Sequence, residues 1–512
     1  MDTPLPAATP GATAVQRDAA TAVEVVAGRA HAPAEIRETH TGIVTLVGDR
    51  AYKVKKPVVT DFLDFGTVER RERACAVEVA LNRRLAPDSY LGVAHLTDPE
   101  GGPSEPVIVM RRYPDECRLS AMVGSGQPLE GHLDAIAAIL AGFHRGATRS
   151  RAIDSCGRMP AISSRWQDNL DELRRWAGSI IDADELAQVA RLASRFISGR
   201  GVLFSSRIAQ RHIVDGHGDL LADDIFCMPD GPVLLDCLEF DPSLRYVDCI
   251  DDAAFLAMDL EFLGRPDLAA HFLREYRRRS GDTAPASLVD FYIAYRAVVR
   301  AKVDCIRADQ GRAGAESDAR RHMRLALEHL RAGAVRLILV GGGPGTGKTT
   351  LARALAQRQV AQVISTDEVR RELTGTGFID GVAGDYEAGL YSPGNVAAVY
   401  DTALRRAALQ LALGRSVIVD GSWRDPVQRE RARDVAAEEF CPTVELECTL
   451  PLEQAQARIV GRSDATGSDA TPAIAAAMAG EHHPWTAAHR IDTGRPLADS
   501  VAEANEICCL AI

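Results

Sequence analysis

An apolar run that ends in a glycine-rich segment limits how this chain can fold more than any other feature of the sequence. Leu337-Ile338-Leu339-Val340 leads into residues 342–349, which have the spacing Gly-x4-Gly-Lys-Thr, and a helical pattern follows from Thr350. Glycines allow backbone N–H groups to turn inward around phosphate groups, and the N-terminus of the next helix favours negative charge. The strand–loop–helix context therefore predicts a phosphate-binding loop.

The chemistry of this phosphate loop, residues 342–349, predicts ATP and Mg²⁺ as the ligands. Lys348 is expected to reach the β- and γ-phosphates, and the hydroxyl of Thr349 is a hard oxygen ligand for Mg²⁺. The predicted nucleotide-binding residues are Gly342, Gly343, Pro344, Gly345, Thr346, Gly347, Lys348, Thr349 and Thr350.

Short β-rich runs separated by helical patterns surround the phosphate loop. The runs are residues 337–340, 363–365, 416–420 and 444–448. Strands that alternate with helices are typical of a doubly wound parallel sheet. We predict a P-loop domain of this α/β class over residues 335–512.

Charged residues at the ends of two of these runs are candidates for catalysis and metal binding. Asp367 follows the second strand and Arg370 lies on the same helical face, so the carboxylate is expected to accept a proton from an attacking hydroxyl while the arginine stabilises negative charge. The alternative is that Asp367 only caps a helix over residues 368–373. Asp420 ends an apolar strand and is predicted to orient Mg²⁺ through water, with a structural role as the alternative.

Arg458 and Arg462 stand four residues apart before a glycine- and serine-bearing stretch, residues 463–468. Two arginines on one helical face beside such a stretch favour a lid that closes over the transferring phosphate. A solvated surface face is the alternative.

The Asp-x-x-Arg pair and the phosphate loop together resemble small-molecule kinases of the P-loop class: gluconate and shikimate kinases, polynucleotide kinase and zeta-toxin-like kinases. The resemblance covers about residues 335 to 512, and the phosphate loop is its one highly specific motif. It implies transfer of a phosphoryl group to a hydroxyl.

A second polar motif, His217-Gly218-Asp219, lies in the middle of the chain, with Asp224 five residues later and an apolar strand ending in Asp236. This pattern resembles the catalytic segment of aminoglycoside and choline-type phosphotransferases, which have the protein-kinase fold. The resemblance implies that Asp219 accepts the proton of a substrate hydroxyl, and that Asp224 and Asp236 hold Mg²⁺. The chain departs from that pattern at Leu221, where the family has histidine, and at Asp224, where it has asparagine.

The N-terminal part agrees with this resemblance. Residues 43–47 and 51–54 form a predicted β-hairpin, residues 68–85 a helix and residues 107–110 a further strand. Lys53 occupies the place of the nucleotide-binding lysine, although Lys55 shares its strand face and is the rival. Glu78 is the expected ion-pair partner. His144 is predicted to be a packed helix histidine.

The whole chain resembles bacterial proteins described as bifunctional aminoglycoside phosphotransferase/ATP-binding proteins. We predict a disordered tail over residues 1–20, a two-lobed protein-kinase-like domain of α+β class over 21–310, a linker helix over 311–334, and the P-loop domain. The predicted function is transfer of the γ-phosphoryl of Mg-ATP to a small hydroxyl-bearing compound. The alternative is a nucleotide-regulated binding protein with an inactive kinase-like domain.

Composition excludes several other classes. The chain has 512 residues and a formal net charge of −12, so it lacks the basic surface expected of a nucleic-acid-binding protein. No apolar run approaches the length of about 18 residues needed to span a membrane. The start of the chain lacks the pattern of a secretory signal, and the eleven cysteines are scattered without a Cys-x-x-Cys pair. A cytoplasmic protein with a small-molecule substrate is therefore expected, and the sequence makes no prediction of oligomeric state.

Overall fold

The computed structural model describes residues 34–38, 42–59, 64–97, 100–382, 388–461, 471–480 and 484–511. The chain divides into two compact units. The first unit contains the described residues up to Cys117 together with Leu235–Phe240, and the second contains Arg118–Leu234 and the rest of the chain from Asp241.

The first unit is an antiparallel sheet with one helix packed on it. Its elements are β1 (Glu35–Glu38), β2 (Gly42–Val47), β3 (Arg50–Lys55), α1 (Val68–Asn82), β4 (Tyr90–Leu96) and β5 (Glu105–Arg111). The strand order is β1-β2-β3-β5-β4, and the predicted hairpin is confirmed by the pairing of β2 with β3. Cys75 and Val79 of α1 pack against Tyr90 and Ile108 of the sheet. Sequence patterning did not predict β1 or β4.

The second unit begins with a largely helical region. Its helices are α2 (Leu119–Ser125), α3 (Glu130–Gly146), α4 (Arg151–Cys156), α5 (Met159–Leu173), α6 (Ala183–Gly199), α7 (Gly201–Ala209), α8 (Cys249–Phe262), α9 (Pro266–Ser280), α10 (Ala286–Asp309) and α11 (Ala315–Ala332). Two antiparallel strand pairs interrupt them: β6 (Ile213–Asp215) with β9 (Tyr246–Asp248), and β7 (Ile225–Met228) with β8 (Gly231–Leu234). Gly231, the first residue of β8 after the turn from β7, has a positive φ of +125°.

The segment predicted as a linker, residues 311–334, is mostly helix α11. One face of α11 is buried and includes Ala319, Met323 and Leu327. Because α11 packs along α10, it contributes to the core of the helical region as well as connecting it to the sheet that follows.

The C-terminal part confirms the predicted doubly wound parallel sheet. Its strands are β10 (Leu337–Gly341), β11 (Gln362–Ser365), β12 (Val417–Asp420), β13 (Thr443–Thr449) and β14 (His489–Asp492), in the order β11-β12-β10-β13-β14. All four pairings are parallel. The helices are α12 (Lys348–Gln359), α13 (Thr366–Gly375), α14 (Pro393–Ala412), α15 (Pro426–Glu438), α16 (Leu452–Val460), α17 (Pro472–Gly480) and α18 (Leu497–Leu510).

A buried arginine joins the helical region to this sheet domain within the second unit. Arg200 donates hydrogen bonds of 2.6 Å to the carbonyls of Gly199 and Leu411, and one of 2.8 Å to the sulfur of Cys441. Nearby, the hydroxyl of Ser287 donates to the carbonyl of Gly414. The end of α14 is therefore fixed to the helical region by hydrogen bonds to its last carbonyls.

All eleven cysteines lie in the described residues, and none of them forms a disulfide bond. Among the described residues, no helix combines the length and the apolar character needed to cross a membrane.

The helical region contains a histidine held between two carboxylates. His329 on α11 lies 2.8 Å from Asp290 through Nδ1 and 2.8 Å from Glu261 through Nε2. Burial alone would lower the pKa of His329, but these two hydrogen bonds and the negative charges outweigh it and raise the pKa to about 9.

This histidine predicts a pH dependence of stability. Because the folded chain holds the His329 proton more tightly than the unfolded chain does, the stabilisation is complete below about pH 6.5 and is lost as pH rises through about 9. The loss is on the order of 3 kcal/mol in the free energy of unfolding. In thermal unfolding measured from pH 6 to 10, His329→Gln should remove most of this decline.

The matched control is His132→Gln, which changes a half-buried histidine on α3 and should keep the wild-type slope. Equal slopes for the wild type and His329→Gln would contradict the prediction.

Candidate active sites

The phosphate loop connects the buried strand β10 to α12, which begins at Lys348. Three of its glycines have positive φ: Gly342 (+137°), Gly345 (+79°) and Gly347 (+85°). At Gly345 a side chain would also overlap the backbone of Ala455. These positions require glycine because other residues rarely adopt such backbone angles.

Contacts from neighbouring elements hold the phosphate loop in shape. The hydroxyl of Thr493 donates to the carbonyls of Thr346 (2.6 Å) and Thr449 (3.0 Å). Arg458 donates to the carbonyl of Thr493 at 2.9 Å, and its guanidinium lies beside Gly347. The structure thus places Arg458 at the loop, whereas Arg462 and the predicted lid segment lie outside the described residues.

Thr349 and Asp420 provide a donor set that fits Mg²⁺. The Thr349 hydroxyl donates to Oδ2 of Asp420 at 2.7 Å. Asp420 is 2% exposed, and its Oδ1 has no hydrogen-bond partner among the described residues. Burial raises the pKa of Asp420, while the positive charge of Lys348 opposes that rise. A buried carboxylate oxygen without a partner, next to a hydroxyl, suits a hard cation or one of its water ligands.

The described residues contain no cluster of three His, Cys, Asp or Glu side chains arranged as a metal site. A magnesium ion at the phosphate loop would therefore depend on Thr349, Asp420 and the nucleotide phosphates, which is the usual way that proteins bind it.

Asp367 and Arg370 form an ion pair in the first turn of α13, with 2.6 Å between Oδ1 and a guanidinium nitrogen. The alternative prediction, that Asp367 caps a helix over residues 368–373, is wrong because the helix starts at Thr366 and Ser365 is its N-cap. Arg370 is 7% exposed and lies over the ring of Tyr391, 4.5 Å from its centroid.

A cavity of about 280 Å³ lies against this ion pair. We call it the α13 cavity; it is lined by Asp367, Arg370, Arg371, Thr374, Gly375, Leu390 and Tyr391. The charge of Asp367 raises the pKa of Asp420 further, beyond the larger effect of burial. Asp367 at the α13 cavity and Asp420, the candidate metal ligand, are therefore within electrostatic range of each other.

In the first unit, both candidate lysines are bound to carboxylates. Lys53 lies 2.7 Å from one oxygen of Glu78 and 3.0 Å from Asp236. Lys55 lies 2.7 Å from the other oxygen of Glu78 and 2.7 Å from Glu239. The structure therefore brings the predicted Lys53–Glu78 pair together, and the rival Lys55 shares the same glutamate.

The electrostatics of this cluster keep Lys53 charged. Burial alone would lower its pKa, but Asp236, Glu78 and Glu239 outweigh burial and raise the pKa well above the usual value for lysine. Asp236 has a left-handed backbone (φ +62°), an unusual conformation for a residue other than glycine. The backbone is fixed there because the next residue, Cys237, donates its N–H to Asn82 at 2.8 Å.

In the second unit, a buried carboxylate shapes the segment that contains Asp219. Asp252 accepts hydrogen bonds from the backbone N–H groups of His217 (2.7 Å) and Gly218 (2.8 Å), and Nε2 of His144 lies 3.0 Å away. Burial would raise the pKa of Asp252, but the two histidines and these hydrogen bonds hold it well below its usual range. Gly216 must be glycine because a side chain there would overlap the Asp252 carboxylate.

Arg296 completes the support of this segment. It donates to Asp251 at 2.7 Å and to the carbonyl of Gly218 at 3.1 Å. Asp219 itself is half-buried, so a rigid backbone presents a side chain that solvent can still reach.

The two departures from the phosphotransferase pattern lie just beyond Asp219. Leu221 is an apolar side chain with 9% exposure, and Asp224 is half-buried at the end of a short 3-10 turn, Ala222–Asp224. Asp224 keeps an oxygen-bearing side chain where the family has asparagine, whereas Leu221 supplies no polar atom.

Several residues that hold these sites were not predicted from the sequence. They are Asp252, Arg296 and Thr493. His144, in contrast, was predicted to be a packed helix histidine, and its burial confirms that prediction. The available signal for Asp252 was the pair Asp251-Asp252 in a mostly apolar helix. Carboxylates that are buried in such a helix require partners, so the pair indicates a polar network.

A family model described as AAA domain matches residues 337–484. The uncharacterized proteins Rv2004c of Mycobacterium tuberculosis strain H37Rv and Mb2027c of Mycobacterium bovis are each 56% identical over 478 residues, which is 93% of this chain and 96% of theirs.

Two solved structures illustrate the structural likenesses. A choline/ethanolamine kinase family protein from Mesorhizobium loti is 17% identical, with a TM-score of 0.37, and the match covers 58% of this chain and 92% of that one. A gluconokinase from Sinorhizobium meliloti is 17% identical, with a TM-score of 0.27, and the match covers 35% of this chain and 93% of that one.

The packing around Gly345 predicts that its replacement lowers the stability of the protein. Gly345→Ala would force a side chain against Ala455 at positive φ, so we expect the free energy of unfolding to fall by roughly 1–3 kcal/mol. The control is Gly343→Ala, whose added carbon would meet only Thr346 at 3.8 Å and which should unfold like the wild type. Thermal unfolding without nucleotide measures both, and equal stability of the two variants would contradict the prediction.

Proposed function

We propose that this chain, which belongs to the same protein family as Rv2004c of Mycobacterium tuberculosis, is an ATP-dependent phosphotransferase. The reason is that its P-loop domain carries a phosphate loop and an Asp–Arg pair. Its P-loop domain moves the γ-phosphoryl of Mg-ATP to a small hydroxyl-bearing compound, with neither nucleic acid nor a membrane as partner.

One observation carries this proposal: the phosphate-binding and proton-accepting groups meet at one edge of the parallel sheet. Thr349 is hydrogen-bonded to Asp420, and the pKa of Asp420, raised first by burial, also responds to the charges of Lys348 and Asp367. Besides the phosphate loop, a kinase needs a group that accepts the proton of the acceptor hydroxyl and a space for the acceptor, and Asp367 beside the α13 cavity offers a candidate for each.

The residues divide the reaction between them. The backbone N–H groups of the phosphate loop and Lys348 hold the phosphates. Thr349 and Asp420 would hold Mg²⁺, which when bound offsets the negative charge of the phosphates. Asp367 accepts the proton of the acceptor hydroxyl, whose oxygen forms a bond to the γ-phosphorus as the bond to ADP breaks. Arg370 stabilises the charge on the transferring group, and Arg458 adds positive charge beside Gly347.

We extend the proposal to a second phosphotransfer site in the kinase-like part. In the first unit, Lys53, paired with Glu78, would contact the nucleotide phosphates, and Asp236 would be a ligand for Mg²⁺. In the second unit, Asp224 is a further candidate ligand for Mg²⁺. Asp219 accepts the proton of the acceptor hydroxyl. The rigid support of residues 216–219 by Asp252 favours this reading, because a catalytic carboxylate has to be held in place.

A second candidate function, a nucleotide-regulated binding protein with an inactive kinase-like part, has its own supporting observation. Lys53 is already 3.0 Å from Asp236, the carboxylate expected to bind Mg²⁺, and Leu221 brings no polar atom to the segment after Asp219. In that case the P-loop domain alone would bind ATP.

Calorimetry of Mg-ATP binding tests how many nucleotide sites the intact chain has. We expect two sites in the wild type and one in Lys348→Ala, because that variant loses the charge that binds the β- and γ-phosphates. Lys302→Ala, which alters a lysine paired with Glu172 on α5, should keep both sites. One site in the wild type and none in Lys348→Ala would favour the binding-protein function instead.

Replacing each candidate base tests catalysis. With hydroxyl acceptors present, Asp367→Asn should lower phosphoryl transfer at the P-loop domain by about 10²–10⁴-fold, and Asp219→Asn should do the same at the kinase-like part. Product is measured by transfer of labelled phosphate. Asp230→Asn changes an exposed turn residue and should behave as the wild type.

The two sites give separate outcomes. Unchanged transfer in Asp219→Asn, together with its loss in Lys348→Ala, would overturn the kinase-like site and leave the P-loop site intact. Unchanged transfer in Asp367→Asn would overturn the role of that carboxylate.

A further inference from the structure

We propose that the acceptor phosphorylated at the P-loop domain carries an anionic group, a carboxylate or a phosphate, and that Arg371 binds it. This inference rests on the proposed function of the same site and names its substrate class.

The spacing of four residues on α13 directs them to a common face. Asp367, Arg370, Arg371 and Thr374 stand at positions i, i+3, i+4 and i+7, which fall on one side of a helix. All four line the α13 cavity, and Leu390 and Tyr391 contribute an apolar and aromatic wall. The base and Arg371 therefore face the same space, one helical turn apart.

The charges of this face leave one guanidinium in excess. Asp367 and Arg370 neutralise each other in their ion pair. The two nearby glutamates of α13 are used elsewhere: Glu368 pairs with Arg353 and Glu372 with Arg406. Among the described residues, Arg371 has no carboxylate partner, and its Nε donates a long hydrogen bond of 3.4 Å to the backbone carbonyl of Asp367.

Arg370 provides a second, independent indication that a ligand binds here. Its side chain is nine-tenths buried, and its Nε has no hydrogen-bond partner among the described residues. A buried donor without a partner is costly, so it marks a place where a bound polar group would be stabilising. The ring of Tyr391 holds this guanidinium in position through a cation–π contact.

The size of the α13 cavity favours a small molecule. Its volume of about 280 Å³ lies at the lower end of ligand pockets. An arginine binds carboxylates and phosphates through paired hydrogen bonds, which a neutral polyol cannot match. An acceptor anchored by its anionic end at Arg371 would present a hydroxyl to Asp367.

Matched pairs of acceptors test this proposal in the full-length chain with a non-hydrolysable ATP analogue and Mg²⁺. The pairs are glycerate and glycerol, glycerol 3-phosphate and glycerol, and gluconate and sorbitol. Calorimetry measures binding of each compound to the wild type, to Arg371→Gln, and to Arg358→Gln, a control that removes an exposed arginine at the end of α12. The carboxylate and phosphate members distinguish the two possible anions.

We expect at least one anionic compound to bind the wild type tenfold or more tightly than its neutral counterpart. Arg371→Gln should abolish that preference, and Arg358→Gln should retain it. In turnover with ATP, Arg371→Gln should raise KM for the anionic acceptor about tenfold or more and change kcat by only a few-fold, because Arg371 binds the acceptor without taking part in the transfer.

The results separate this inference from the proposed function. Anion binding that depends on Arg371, without any phosphoryl transfer, would support the binding role of Arg371 and overturn the claim that the bound anion is a phosphoryl acceptor. Transfer to neutral acceptors as efficient as to anionic ones, or an anion preference unchanged in Arg371→Gln, would overturn the inference and leave the proposed function standing. Failure of all three anionic compounds to bind would also overturn it.

Discussion

The parallel pairing of β10 with a strand on each side is the constraint on which the candidate site of the P-loop domain depends. β10 is fully buried and lies between β12 and β13. The phosphate loop begins at its carboxyl end. The register places Val340 opposite Asp420, and Ser365 of β11 opposite the same residue. Asp367 therefore follows the neighbouring strand at the same edge, and one sheet register brings together the phosphate loop, Asp420 and Asp367, the candidate groups for phosphate binding, metal binding and proton acceptance.

Both candidate sites use a buried carboxylate to fix backbone or hydroxyl groups. Asp420 holds the Thr349 hydroxyl, while Asp252 holds two backbone N–H groups before Asp219. They differ in what remains unused. Asp252 also contacts His144, and its pKa is lowered. In Asp420, Oδ1 has no hydrogen-bond partner among the described residues, and the pKa of the carboxyl group is raised. The first arrangement is suited to support and the second to binding a ligand.

The sequence could predict what is encoded in neighbouring residues. The phosphate loop, the Asp367–Arg370 pair and the Lys53–Glu78 pair depend on short spacings or on strand and helix faces. Asp252 and Thr493 act across 34 and 147 residues, so no local pattern marks them. β14 was not predicted because Ile491 is its one buried residue, which gives no strand pattern. Thr493 was missed for the same reason, since it lies in the turn that follows this strand. The sequence could not separate Lys53 from Lys55 either. In the structure both contact Glu78, but Lys53 also contacts Asp236, whereas Lys55 contacts Glu239.

Helix α14 links the α13 cavity to the helical region of the second unit. Leu390 and Tyr391 of the cavity wall lie just before its first residue, Pro393. At its other end, the carbonyl of Leu411 accepts from Arg200, with Ser287 bound to Gly414 just beyond. Displacing this end would remove one of the three acceptors of the buried Arg200 guanidinium. At the cavity end, Asn395 of α14 donates to the carbonyls of Asp380 (2.9 Å) and Gly389 (3.0 Å). Side-chain hydrogen bonds therefore hold both ends of α14, one beside the wall of the α13 cavity and one at the helical region.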